Sequence, residues 1–345
     1  MRKNAEIEIY RFIMIMGVAL LHITEDYSFQ IFMGGYLGVD FCFMLAGFFL
    51  MMHYYRNFDS QKSAIENSLD YIIGRVKNLY FPYIIAILIM TLVKWLSYGG
   101  TPIDLYLLLY SNRWQFLMLH SIGAPTVCII RSVWFLSPLI FLSFFIYFCL
   151  CYNKKLFVGL SPFLSLLVFV YIAQEYGFMG MHFVYDEVLG GGIIRGFPEM
   201  LLGVFLAYLV QEYSKAKDVR IGMAKGVVIR SICYIVIIYT ILKCQWDFND
   251  FNVFPAFAVL IYIAFVHPIK IINEKVECFI VYLGGLSYWI YLVHNIVGYA
   301  MYHYSPQLGP ELVLPIYFGI TILLSVILRF VFEKSKIFIK NLKFS

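Results

Sequence analysis

The sequence predicts an all-α polytopic membrane protein of about ten transmembrane helices, with its N- and C-terminal ends on the cytoplasmic side. Three observations predict it. Of the 345 residues, 62% are hydrophobic and only 14% charged, with a mean hydropathy of +0.80, against about 45–50% apolar and about 25% charged residues in soluble domains. Ten separate apolar runs approach or reach the roughly 20 residues that a crossing helix needs. With the N-terminus in the cytoplasm, 18 of the 26 Lys and Arg fall on the inner side, 5 lie at or beyond the outer ends, and 3 (Arg11, Arg230, Arg329) lie within spans. Basic residues collect on cytoplasmic loops, so this orientation is the preferred one.

The first run, 9–24, follows MRKNAEIEIYRF, whose carboxylates and lack of a small-x-small cleavage site suit a retained span better than a signal peptide. The second, 35–52, carries Asp40 in an otherwise apolar stretch, and the third, 79–97, follows Arg75 and Lys77. Residues 101–130 are broken by Pro102, Asp104, Asn112, Arg113, His120 and Pro125 and read as an external loop with an interfacial helix. An eleventh span there would place the basic residues of 215–225 outside. The remaining runs are 132–151, 157–173, 192–211, 226–243, 252–267, 279–301 and 311–332, with glycine- and proline-containing turns at 100–102, 190–192 and 308–310. Segment 174–192 holds three carboxylates and neither Lys nor Arg, which suits the outer face. Little length remains for anything but one transmembrane domain, 1–345.

Several functions are disfavoured. The net charge of +5 comes without a basic groove or a run of Lys and Arg with interleaved aromatics, so nucleic acid is not an expected partner. The seven cysteines are scattered through apolar runs without a CxxC pair and read as core or lipid-facing residues, with no metal implied. No internal repeat is visible, which weighs against inverted-repeat transporters.

The polar residues of the first span are the strongest lead. Arg11 and His22 are eleven residues apart, which at about 100° and 1.5 Å per residue puts them within roughly 20° of one helix face and about 16 Å apart in depth. On position alone two readings stand for each: Arg11 snorkels to the inner surface or faces the bundle, and His22 is an interfacial or core histidine or a reactive one. The balance moves because Asp26 follows His22 by one turn and Asp40 enters the next span. A carboxylate beside an imidazole fixes its tautomer and raises its basicity, as deprotonation of a hydroxyl requires. Arg195 and Glu199, at i and i+4, form a potential ion pair within one span. Glu333 is expected to pair with a cytoplasmic-side Arg or Lys. Trp114, Trp134 and Trp246, near the outer side, are placed to stack on a sugar.

RFIMIMGVALLH resembles the Arg-x10-His motif of the membrane-integral type 3 acyltransferases, which O-acylate bacterial surface polysaccharides. YLGVDFCFMLAGFFL is similar to that family's Gly-Val-Asp-Phe-Phe-x-x-Ser-Gly-Phe span. In the same order as in the family follow LDYIIGRVKNLYFPYIIA, VWFLSPLIFLSFF, IIRGFPEMLLGVFLAYL, LGGLSYWIYLVHNIV and RFVFEKS, so the resemblance runs from residue 11 to 334. The chain departs from the pattern at Ala46, where Ser is usual, at Asn78, where a second Arg is usual, and at Pro138 and Leu139, where many members have a Glu pair. No fused SGNH esterase-like domain is expected after the last span.

The resemblance implies a membrane O-acyltransferase of the bacterial cytoplasmic membrane that moves an acyl group, acetyl in the first instance, from acetyl-CoA or another acyl-CoA to a hydroxyl of a polysaccharide or lipid-linked glycan. It implies that Arg11, Arg75 and Lys77 meet the donor phosphates, that His22 deprotonates the acceptor or assists transfer through an intermediate, and that Asp26 or Asp40 orients it. Arg195, Tyr288, His294 and Trp134 would contact the acceptor, although a structural ion pair remains open for Arg195 and a buried interhelical hydrogen bond for His294. A homo-oligomer is compatible with this reading. The rival from another class is a flippase of lipid-linked saccharide, which would carry charges along several central spans.

Overall fold

The computed structural model describes residues 3–29, 32–121, 128–179, 190–215, 222–243 and 248–342; nothing is said of the others, or of the side chains of 213–215 and 336–342. Its long helices are α1 (Ala5–Asp26), α2 (Leu37–Asn57), α3 (Ala64–Ser97), α6 (Leu136–Glu175), α7 (Gly191–Lys215), α8 (Met223–Lys243), α9 (Val253–Val266), α10 (Glu274–Tyr304) and α11 (Pro310–Leu342). Two short ones, α4 (Pro102–Ser111) and α5 (Arg113–Phe116), occupy the loop between α3 and α6. Among the described residues nine helices are long and apolar enough to cross a membrane.

One of the nine crosses twice. Phe145 lies 6.2 Å, ring to ring, from Phe197, and the Ser165 hydroxyl donates to the Pro198 carbonyl at 2.8 Å. In a straight helix residues 145 and 165 would be about 30 Å apart, yet both touch neighbouring residues of α7. The chain therefore folds back between them, and the break is Asn153, whose φ of −153° and ψ of 86° leave the helical region. Its carboxamide oxygen accepts from the Leu156 N–H at 3.1 Å, capping the second arm. Its two arms match the expected spans 132–151 and 157–173, making ten crossings among the described residues. Among the described residues of 101–130 no eleventh crossing forms. α4 has ten residues, about 15 Å, and buries none of them, which suits an interfacial helix.

α2 is the most enclosed of the spanning helices and packs along α7, while α1 packs along α10 and α6 along α7. A broad apolar surface stays outside: Val228, Ile235 and Ile238 on α8, and Leu323, Phe330 and Val331 on α11, are all exposed, as residues facing lipid tails must be. The α2–α7 approach is set by two glycines. A Cβ on Gly47 would overlap the Met200 carbonyl, and one on Gly203 the Met44 carbonyl, so the two backbones touch. Ala46, the departure from the family pattern beside Gly47, does not make this contact; its side chain lines a cavity. Gly47→Val is expected to cost more than the about 1–3 kcal/mol of an overpacked core, read as a lowered unfolding midpoint in detergent. A midpoint equal to the wild type would exclude this backbone contact.

At the N-terminal end of α1, Arg230 of α8 donates to both carboxylate oxygens of Glu6 at 2.6 and 3.0 Å and to the His267 carbonyl at 2.7 Å. The Tyr10 hydroxyl donates to the same carboxylate at 2.6 Å. This buried pair fastens α1 to α8 and to the end of α9 and sets the pose of the helix that carries Arg11 and His22.

Candidate active site

α1 runs without a break from Ala5 to Asp26, so the stripe expected from the spacing of Arg11 and His22 is present in the folded chain. It opens onto two cavities. Arg11 lines an inner one of about 310 Å³ together with Arg75 of α3; His22 lines an outer one of about 630 Å³. Val39 of α2 stands in the wall of both. The two residues thus serve two chambers about three helical turns apart.

The inner cavity is mostly apolar, with Ile15, Leu45, Leu79 and Leu139 in its wall. Arg11 is held by Glu8 at 3.1 Å, and Arg75 donates from Nη1 to the Tyr71 hydroxyl at 2.7 Å while its Nε is buried without a hydrogen-bond partner. Two guanidinium groups at an apolar chamber suit a ligand with an anionic head and an apolar or amide-bearing arm. Lys77 does not join them; it is exposed and lines neither cavity, contrary to expectation. Residues two apart on a helix diverge by about 200°, so one face cannot hold both Arg75 and Lys77. Tyr288, expected on the acceptor side, belongs to the inner wall, where its hydroxyl is spent on the Leu79 carbonyl at 2.8 Å.

The partition between the chambers is the single turn Ser132–Phe135. Phe135 faces the inner cavity and Trp134 the outer one. The Tyr291 hydroxyl donates to the Ser132 carbonyl. His120 donates from Nε2 to the Val133 carbonyl at 3.3 Å and accepts at Nδ1 from the Ser137 hydroxyl at 3.0 Å. Burial pushes the His120 pKa down to about 4, so the ring stays neutral and the tautomer that holds the turn persists at neutral pH. Gln115 adds a bond to the Ile130 carbonyl and accepts from the Ile129 N–H, at 2.8 and 2.7 Å. Neither His120 nor Gln115 stood out in the sequence, because the bonds by which they hold this turn run to backbone groups and a serine of another segment.

In the outer cavity His22 is partly exposed, with Nδ1 3.4 Å from a Glu25 carboxylate oxygen. Among the described residues Glu25, and neither Asp26 nor Asp40, is within ion-pair distance of the ring. Asp26 lines the same cavity. His294 is completely buried behind His22, the two rings stacked with centroids 5.4 Å apart. Its Nδ1 donates to the Ile290 carbonyl at 3.1 Å and its Nε2 accepts from the Asn295 carboxamide at 2.8 Å. It thus supports His22 from behind and does not line the acceptor side as expected; Asn295 takes that place in the wall. With Nδ1 turned to Glu25, the free ring nitrogen of His22 can take a proton from a hydroxyl in the cavity.

Asp40 does other work. Both its oxygens accept from Arg195, at 2.7 Å from Nε and 2.8 Å from Nη2, and both side chains are fully buried. Arg195 also donates to the Tyr36 carbonyl at 3.1 Å and lies between the rings of Tyr36 and Trp134, 5.5 and 5.1 Å from their centroids. The expected Arg195–Glu199 ion pair does not form: Glu199 lies against Asp40 instead. Arg195 and Trp134 line the outer cavity. The Tyr36 hydroxyl donates to Asp250 at 2.5 Å, anchoring the assembly to the start of the α9 segment. Glu333 pairs at 2.8 Å with Arg329, which the sequence counts within the last span, one helical turn away, rather than with a Lys or Arg of the cytoplasmic side. Trp114 lines neither cavity, and Trp246 lies outside the described residues.

Residues 4–330 match the family model described as an acyltransferase domain, of the acyltransferase 3 family. No curated protein and no solved structure matches the chain. The match spans the helix with Arg11 and His22, both cavities and the partition between them, and by it the chain belongs to the acyltransferase 3 family and is a membrane acyltransferase.

Proposed function

We propose that this protein is an O-acetyltransferase of the bacterial cytoplasmic membrane, moving an acetyl group from acetyl-CoA on the cytoplasmic side to a hydroxyl of a cell-surface or lipid-linked polysaccharide on the outer side. The observation that carries this reading is one unbroken helix with a guanidinium in the inner cavity and an imidazole in the outer one, the two chambers meeting at Val39. Arg11 and Arg75 would hold the donor's phosphates, and the apolar inner wall its arm, directing the thioester toward the Ser132–Phe135 turn. His22, oriented by Glu25, takes the proton from the acceptor hydroxyl as its oxygen bonds to the acyl carbon, and gives a proton to the sulfur as the carbon–sulfur bond breaks. Trp134 presents an aromatic face to the acceptor.

The test uses proteoliposomes of known orientation, with labelled acetyl-CoA on the cytoplasmic face only and the glycan acceptor on the other. Labelled glycan is the expected product; its absence, with the protein folded and the acceptor present, would refute transfer between the two faces. In the same assay Arg11→Gln is expected to raise KM for acetyl-CoA about 10–100-fold, corresponding to one charge-assisted hydrogen bond of about 1.5–3 kcal/mol. An unchanged KM would remove Arg11 from donor binding.

A further inference from the structure

Two cations in the outer cavity are left unused by this mechanism. Lys94, near the end of α3, and Arg131, immediately before the partition turn, both line the chamber that holds His22. Among the described residues neither side chain makes a hydrogen bond or an ion pair. The ammonium of Lys94 lies 5.4 Å from the centroid of the Tyr299 ring. The Tyr299 hydroxyl is in turn hydrogen-bonded to Ser97 at 2.8 Å, which fixes the ring beneath the ammonium. A third cationic group reaches the same chamber: Arg195 is fully buried, and while Nε and Nη2 are taken by Asp40 and Tyr36, its Nη1 has no hydrogen-bond partner.

The chamber also contains carboxylates, and their placement matters. Glu25 and Asp26 sit together on the last turn of α1, Glu25 against His22. Neither reaches Lys94 or Arg131 within ion-pair distance. The chamber is therefore divided, with carboxylates beside the base on α1 and, on the wall made by α3, residue 131 and α7, Lys94 and Arg131 held in no ion pair, the Asp26 carboxylate being near enough for its charge to be felt at Arg131 but not to pair with it. Cations left unpaired in a part-enclosed space repel one another and carry a desolvation cost, which an anion bound between them would offset. A buried guanidinium nitrogen without an acceptor is an unfilled hydrogen-bond position of the same sign. A chamber built only for neutral sugar hydroxyls would need none of these groups.

We propose that the acceptor carries an anionic group, a carboxylate or a phosphate, that binds Lys94, Arg131 and the free Nη1 of Arg195, leaving its reacting hydroxyl at His22. The acceptor class is thus an acidic saccharide. This rests on the outer cavity being the acceptor site, and the measurement below separates the two ideas because it reads binding without turnover.

Labelled oligosaccharides of equal length, one neutral, one containing uronic acid and one bearing a phosphate, are equilibrated with the full-length protein in nanodiscs, and binding is measured at two salt concentrations. At least one acidic ligand is expected to bind about 10-fold or more tightly than the neutral one, with an advantage that shrinks as salt rises. Preference for uronate or for phosphate identifies which anion the acceptor bears. Lys94→Met and Arg131→Gln are each expected to reduce that advantage about threefold, and the double variant to abolish it. Equal binding of neutral and acidic ligands, or an advantage that survives in the double variant, would overturn the proposal. If acidic ligands bind as described yet are never acetylated, the acetyl-transfer reading fails and the anion site stands; if only neutral glycans bind and are acetylated, the reverse holds.

Discussion

His22→Ala is expected to lower acetyl transfer by about 10²–10⁴-fold, the range that a positioned general base contributes, without changing binding of acetyl-CoA in the inner cavity. The side chain is partly exposed to the outer cavity and its ring packs on His294, so its removal opens space at a wall without leaving a buried charge. The unfolding midpoint is therefore expected to change little, and the loss to fall on kcat. The measurement is the initial rate of labelled ester formation by purified protein, alongside equilibrium binding of acetyl-CoA. A residual rate within tenfold of the wild type would remove His22 from the chemistry. A parallel loss of donor binding would show that the chambers are not separate.

Asp40→Ala is the second, and its effect falls on folding. It leaves the Arg195 guanidinium fully buried without its bidentate partner, retaining the Tyr36 carbonyl, two aromatic faces and the nearby Glu199 carboxylate, which makes no ion pair with it. Removing one partner of a buried ion pair costs about 3–5 kcal/mol, whereas replacing both by apolar residues is often neutral. The single variant is expected to give little folded protein. Asp40→Leu combined with Arg195→Met is expected to recover most of the folded yield and still to bind the acceptor poorly, because Arg195 also lines the outer cavity. A single variant that folds and melts like the wild type would show that the pair carries no structural weight.

The contrast between these two residues shows what was legible in the chain. His22 and Arg11 were found from their spacing, because a helix turns sequence separation directly into angle and depth. Asp40 was assigned to His22 because both lie in the first two spans; its partner is 155 residues away on α7, and nothing in the order of residues joins them. The local alternative for Arg195 was Glu199, within reach at i+4, but the bidentate geometry of Asp40 prevails once α2 and α7 are in contact through Gly47 and Gly203. Lys77 is a different kind of miss: two residues from Arg75, it was already excluded from the same face by helix geometry. Glu25 and Asp26 both neighbour His22 on the helix surface, and the i+3 carboxylate is the one within 3.4 Å of it. Lys94 and Arg131 read as ordinary outer-side charges until α3 and the partition turn placed them in one wall with His22.

By itself the sequence determined the helical membrane architecture and the expectation of ten crossings, because burial in lipid requires long apolar runs whose backbones satisfy themselves. It also determined the pairing of Arg11 with His22 on one stripe, because that relation is internal to a single helix. Only the tertiary structure decided that the stripe serves two chambers divided by one turn, that Asp40 belongs to Arg195, and that His294 stands behind His22. Each of those depends on how separate helices approach one another, and that is set by small residues, buried ion pairs and hydrogen bonds between segments far apart in the chain.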